Sequence, residues 1–206
     1  MSVQQVEKFV RETVDRNRSW KEIKIEGGEP TLHPDFFEVV EIIRDFKASY
    51  APGTRISLST NGYGREVRDV LARLPEDIVV YNSRKDSADR SEFYAFNAAP
   101  VDLDGYRDSD FTRACDIPFY FGIGLSPYGY YPCSVSAGID RVFGLNLGKK
   151  RLPDKVDPMT ELLEAFCRLC GHFIPFNLAG RKEIISPTWV SAYNAYQNQS
   201  PRLTPY

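Results

Sequence analysis

The first 114 residues of this 206-residue chain contain no cysteine, and the whole chain holds only two histidines. Thiolate chemistry is therefore confined to the second half, and a histidine-rich metal site is excluded. No apolar run approaches the ~20 residues that a membrane span requires. The opening stretch, MSVQQVEKFVRETVDRNR, is too polar for a signal peptide. A soluble, cytoplasmic protein with no membrane partner is the expectation. An excess of either charge is also missing, since 26 Lys and Arg stand against 28 Asp and Glu. Duplex-binding proteins carry a basic excess or stripe, so nucleic acid is not an expected partner. Neither G-x-G-x-x-G nor G-x-x-x-x-G-K-[ST] occurs, which argues against an ordinary nucleotide-binding domain.

The composition that remains, 42% hydrophobic and 26% charged, is that of a globular chain able to bury a core. Val3, Val6, Val10 and Val14 recur at helical spacing, and a strand over Glu22 to Glu26 follows. The breaker Gly27-Gly28-Glu29-Pro30 ends that strand. Pro34 then opens a helix with an apolar stripe of Phe36, Val39, Val40, Ile43 and Phe46. A strand over Arg55 to Ser59, a turn at Asn61-Gly62, a helix carrying Val67, Val70, Leu71 and Leu74, and a strand over Ile78 to Asn82 complete the rhythm. Alternating strands and helices predict βαβ units and a parallel sheet. The first helix has no strand before it, so the pattern reads as an α/β fold entered one strand late.

Beyond residue 83 the rhythm changes. Glu92 to Asn97 reads as one more strand, giving about four in all. Phe119 to Leu125 and Tyr130 to Cys133 read as a hairpin. Asp157-Pro158 opens a helix that runs into Cys167-Arg168-Leu169-Cys170, and Ser186-Pro187 opens a last helix with Trp189, Tyr193 and Tyr196. The expected division is 1–105 for the α/β part and 106–206 for a cysteine-rich extension. Within it, the segment between Cys115 and Cys170 is rich in Gly and Pro and reads as short of a dense apolar core, so a metal staple would be useful to it.

Cys115, Cys133 and the C-x-x-C pair Cys167 and Cys170 supply four soft ligands, suited to zinc or an iron-sulfur cluster. A redox pair is a rival, but such pairs sit at helix N-termini, and this one ends a predicted helix. Four separate core thiols is the plainer alternative. On the metal reading, stripping the ion would unfold residues 113 to 175. The loop at Gly27-Gly28-Glu29 follows a strand end, where ligands bind in open α/β sheets. Two glycines admit close approach to the backbone, and the carboxylate beside them could meet an ammonium group; a tight strand-to-helix turn accounts for the same residues.

The segment KIEGGEPTLHPDFFEVV resembles the radical S-adenosylmethionine (SAM) enzymes, whose second strand ends in a GGEP-type loop. The spacing to Ser57-Leu58-Ser59-Thr60-Asn61-Gly62 is similar too. The later order, Cys115, Gly129-Tyr130-Tyr131-Pro132-Cys133 and Cys167-Arg168-Leu169-Cys170-Gly171, looks like an auxiliary-cluster extension of SPASM or twitch type. The resemblance implies a partial (βα) barrel, a parallel sheet with helices, followed by a small metal- or cluster-binding extension. It implies that Gly27, Gly28 and Glu29 line the site for the methionyl end of SAM, with Ser59, Asn61 and Ser83 (or Asn82) at the neighbouring strand mouths. Cys115, Cys133, Cys167 and Cys170 would hold an auxiliary 4Fe-4S cluster, or Zn. The family's C-x-x-x-C-x-x-C loop is absent, so SAM cleavage is not assigned to these residues alone and catalytic residues are left unassigned.

Lys85, Asp102 and Asp104 are weaker substrate-facing candidates. His33 is expected to order the loop, His172 to lie at the surface or behind the ligands, and Tyr128, Tyr130 and Tyr131 to pack or to flank a substrate. Two functions stand: a radical SAM protein acting on a small-molecule or peptide substrate, and a non-catalytic iron-sulfur or zinc binding module. An exposed sheet edge is expected to suit a partner chain.

Overall fold

The computed structural model describes residues 1–86, 97–113, 115–175 and 185–206. The chain divides into two compact units, Met1–Ser91 and Glu92–Tyr206.

The first unit alternates α1 (Val3–Asp15), β1 (Glu22–Ile25), α2 (Phe36–Tyr50), β2 (Arg55–Thr60), α3 (Arg65–Leu71) and β3 (Ile78–Asn82). Ser2 starts α1 through a capping box: its Oγ accepts from Gln5 N, and its own N–H donates to Gln5 Oε1 at 2.9 Å. The strands form one parallel sheet in the order β1-β2-β3, with Ile23 beside Ile56 and Ile56 beside Ile78. Strand alternation sends these residues to one face. There Ile56, Leu58 and Ile78 pack with Val6, Phe36, Val40 and Ile43 from the helices. Each such side chain stabilises the fold by about 1.5–3 kcal/mol when fully buried. The other face is polar. Arg55 pairs with Glu22 at 2.7 Å, and Lys24 Nζ lies 5.1 Å from the centre of the Tyr81 ring. Three strands stand among the described residues rather than about four; the fourth, expected over Glu92 to Asn97, lies outside them apart from Asn97.

The second unit contains α4 (Ile117–Phe121), an antiparallel hairpin of β4 (Gly124–Ser126) and β5 (Gly129–Tyr131), α5 (Ser134–Phe143), α6 (Thr160–Cys167) and α7 (Pro187–Asn198). Two expectations change here. Phe119 to Phe121 is helical rather than the hairpin's first strand, because Pro118 suits a first helical turn and Gly122, at φ +68°, stops it. Nor is the unit short of a core: Ala99, Tyr131, Ile139, Met159, Leu162, Phe166, Leu169, Cys170 and Trp189 pack as one buried cluster. Its members are scattered along the chain, so no local run announces them. Trp189 is fastened by its indole N–H, which donates to Leu169 O at 2.7 Å.

The boundary expected at 105/106 falls inside this second unit. Ala99 belongs to its core, and Phe111 packs with Leu163 and Cys167, so the segment before residue 106 is committed to it by burial.

Candidate functional site

In the first unit, the C-terminal ends of the strands form a polar rim. Gly27 and Gly28 are exposed, and a Cβ built on either would meet nothing within 4 Å. Their backbone is therefore open to a ligand. Glu29 is not open in the same way. Its Oε1 accepts from Thr31 Oγ1 at 2.7 Å, while its Oε2 accepts from Asn61 N at 2.7 Å. Thr60 Oγ1 lies 2.9 and 3.0 Å from the two carboxylate oxygens. Burial pushes the Glu29 carboxyl up, but the donors Asn61, Thr31 and Thr60 outweigh it and hold the group below its ordinary value. This carboxylate thus ties the loop after β1 to the end of β2.

The same knitting continues to β3. Ser83 N donates to Thr60 O at 2.9 Å, and Lys85 N donates to Asn61 O at 2.8 Å. Ser59 Oγ donates to Glu26 at 3.2 Å, and Asn61 Oδ1 accepts from Tyr63 N. Asn82 Oδ1 accepts from Arg84 N in a local turn. The structure thus brings Glu29, Asn61 and Ser83 into one hydrogen-bonded rim, with Thr31 and Thr60 as members that sequence reasoning missed. Thr60 was legible only as the residue beyond Ser59 on an alternating strand. His33 orders the start of α2, its Nδ1 accepting from Asp35 N at 3.1 Å.

Asp102 accepts from Thr188 N at 2.9 Å and Thr188 Oγ1 at 2.6 Å, capping the first turn of α7. Burial raises its carboxyl, and the bonds from Ser186 and Thr188 lower it further than that. Asp104 is fully exposed and pairs with Arg107. Tyr130 and Tyr131 are buried packing groups: Tyr130 meets Tyr206 hydroxyl to hydroxyl at 2.8 Å, and Tyr131 donates to Asp140 at 2.7 Å.

The second unit gathers its thiols. Cys115 precedes α4, Cys133 is the N-cap of α5, Cys167 ends α6, and Cys170 begins the turn Gly171–Phe173. All four are free, and all four line one cavity of about 10 Å³, with Ser136, Phe166 and His172 among the other wall residues. Burial raises the thiol of Cys115, raises Cys167 to about 12 and raises Cys170 further; neighbouring cysteines push the same way. His172 is half-buried in the cavity wall, and burial lowers its imidazole. Among the described residues, no three His, Cys, Asp or Glu side chains stand as a set spaced to hold a single ion. Ser136, three residues after Cys133, is the cavity residue the sequence reading overlooked.

The first unit is a parallel sheet with a glycine-rich rim at its strand ends. Residues 1–90 match the family model of the radical SAM superfamily. That superfamily's chemistry draws on SAM and a 4Fe-4S cluster. Similar curated proteins are GTP 3',8-cyclases. That of Haemophilus ducreyi is 39% identical over 77 residues, 37% of this chain and 21% of the relative. That of Photorhabdus laumondii is 32% identical over 106 residues, covering 52% and 28%. That of Pasteurella multocida is 38% identical over 78 residues, covering 38% and 22%. The matches thus span 21% to 28% of the length of these relatives. No solved structure matches. No helix among the described residues is long and apolar enough to cross a membrane.

Proposed function

We propose that this chain serves radical SAM chemistry in the cytoplasm, with two separate binding tasks. The rim of the first unit receives SAM, Gly27 and Gly28 offering open backbone to its methionyl end and Ser59, Asn61 and Ser83 lining the strand mouths beside them. The second unit is an extension of SPASM or twitch type, holding an auxiliary 4Fe-4S cluster on Cys115, Cys133, Cys167 and Cys170. Bound there with a reducing cluster, SAM would supply radical chemistry. No cysteine among residues 1–114 can ligate that first cluster, so this chain's own groups bind and orient. A partner chain would pair along the sheet's exposed edge; β3 is an edge strand among the described residues, and its Val79, Val80 and Tyr81 are 40%, 41% and 45% exposed.

The observation that carries the cluster is the cavity walled by all four thiols. Four thiols on one wall are the donor set that zinc or a 4Fe-4S cluster takes. The order Cys115, Cys133, Cys167-x-x-Cys170 resembles an auxiliary-cluster extension, which favours the cluster. Four thiolates complete such a cluster and leave no iron open to substrate, which favours electron relay and stapling over substrate binding. The buried thiols must release protons on ligation, so assembly is coupled to proton loss.

The test is anaerobic reconstitution with iron and sulfide, with zinc measured alongside. Equal iron and sulfide with a broad visible absorption, both lost in Cys133→Ser and Cys170→Ser, is the expected outcome. Stoichiometric zinc without iron overturns the cluster, and neither metal overturns the site.

A further inference from the structure

Ser136 lies in the first turn of α5, the helix whose N-cap is Cys133. It is 2% exposed, and its Oγ stands 3.2 Å from Cys133 Sγ. Both side chains line the cavity that the other three cysteines share. A buried hydroxyl needs a partner. A ligating thiolate only accepts, so in the loaded protein the hydroxyl donates and the sulfur receives. The same sulfur sits at the start of α5, where unpaired backbone N–H groups and the positive end of the helix dipole lie.

We infer that Ser136 tunes the reduction potential of the cluster proposed above, by donating a hydrogen bond to the ligand sulfur of Cys133. The inference rests on the cluster reading. Reduction adds negative charge to the cluster and its sulfurs, and a donor aimed at one sulfur stabilises the reduced state more than the oxidised one. Hydrogen bonds to cluster sulfurs are among the factors that set such potentials. Ser136 touches a ligand rather than a reacting atom, so it acts as a positioning and tuning residue.

The test uses the full chain, reconstituted anaerobically with iron and sulfide. Ser136→Ala should retain the iron and sulfide of the wild type. Its midpoint potential, read by a mediated dithionite titration, should fall by about 59 mV, a tenfold change in a one-electron equilibrium. Ser136→Thr keeps a hydroxyl and should stay at the wild-type potential. A fully loaded Ser136→Ala protein with the wild-type potential overturns the inference and leaves the cluster standing. A wild type without iron and sulfide overturns the cluster reading itself. If the alanine variant loses its cluster, Ser136→Val, which has the shape of threonine without the hydroxyl, decides: a potential below that of Ser136→Thr supports the role, and an equal one overturns it.

Discussion

Thr60 Oγ1 stands 2.9 Å from one carboxylate oxygen of Glu29 and 3.0 Å from the other, joining the end of β2 to the loop after β1. With Asn61 N and Thr31 also donating, the carboxylate serves the rim as a clamp. Hydrogen bonds to a charged group contribute about 1.5–3 kcal/mol each, and removing the acceptor leaves partly buried donors unpaired. Glu29→Ala should therefore cost the first unit about 2–3 kcal/mol. Trp20 reports on this unit, so chemical denaturation followed by its fluorescence in a Trp189→Phe background measures the loss. An unchanged midpoint would show that the clamp contributes nothing.

The same carboxylate predicts a pH dependence. Its folded-state value lies below the ordinary 4.5. The stabilisation is therefore complete above the ordinary value and is lost as pH falls through the lower, folded value. Other acids of the unit titrate nearby, Glu22 among them, so the informative quantity is the difference between wild type and Glu29→Gln. That difference should be constant from neutral pH down to the ordinary value and shrink below it. A difference that stays flat into strong acid would remove Glu29 as its source.

The order of elements in the first unit was legible because each has a strong local signal. Valines at helical spacing, Pro34 before Phe36 and the alternation around Ile56 and Leu58 all point the same way as the final packing. The rim was legible as a place, not as a network. Glu29 reads locally as a free carboxylate, and only the register of β1 on β2 brings Thr60 to it. In the second unit the local signals conflict. The run Ile117–Phe121 has strand-like aromatics, yet Pro118 and Gly122 bound a helical turn. Helix α5 was passed over, although Val135, Ile139 and Val142 mark one face and Gly144 supplies the left-handed stop. The four cysteines were legible from residue type, the C-x-x-C pair and a family resemblance, whereas their shared cavity depends on α4, α5 and α6 packing together.

That packing also sets what metal removal does. The cluster of Tyr131, Ile139, Leu162, Phe166 and Trp189 needs no metal to stay buried, and only Cys170 among the thiols belongs to it. Stripping iron with a chelator should leave far-UV circular dichroism and Trp189 fluorescence close to those of the loaded protein. Cleavage by a nonspecific protease should rise over residues 115–121 and 167–173, where the ligands lie. Wholesale loss of helix signal on chelation, the outcome expected if the ion itself folded residues 113 to 175, would mean that the apolar cluster cannot hold the unit.

Gly124 brings β4 against the peptide that carries Cys133. A Cβ built there would lie 2.8 Å from Ser134 N and 2.9 Å from both the carbonyl carbon and the oxygen of Cys133. Those are backbone atoms, which cannot rotate aside, so Gly124→Ala must displace the hairpin or the start of α5. Overpacking of this kind costs about 1–3 kcal/mol. The displaced group is a proposed ligand, so iron retention should fall together with stability. Gly138 in α5 provides the control, since a Cβ there would meet nothing within 4 Å. Gly138→Ala should stabilise the helix by about 0.5–1 kcal/mol and leave iron content unchanged. Thermal unfolding and iron per chain, measured on both variants, separate the cases. If Gly124→Ala matches Gly138→Ala on both counts, the close approach of β4 to Cys133 has no part in holding the site.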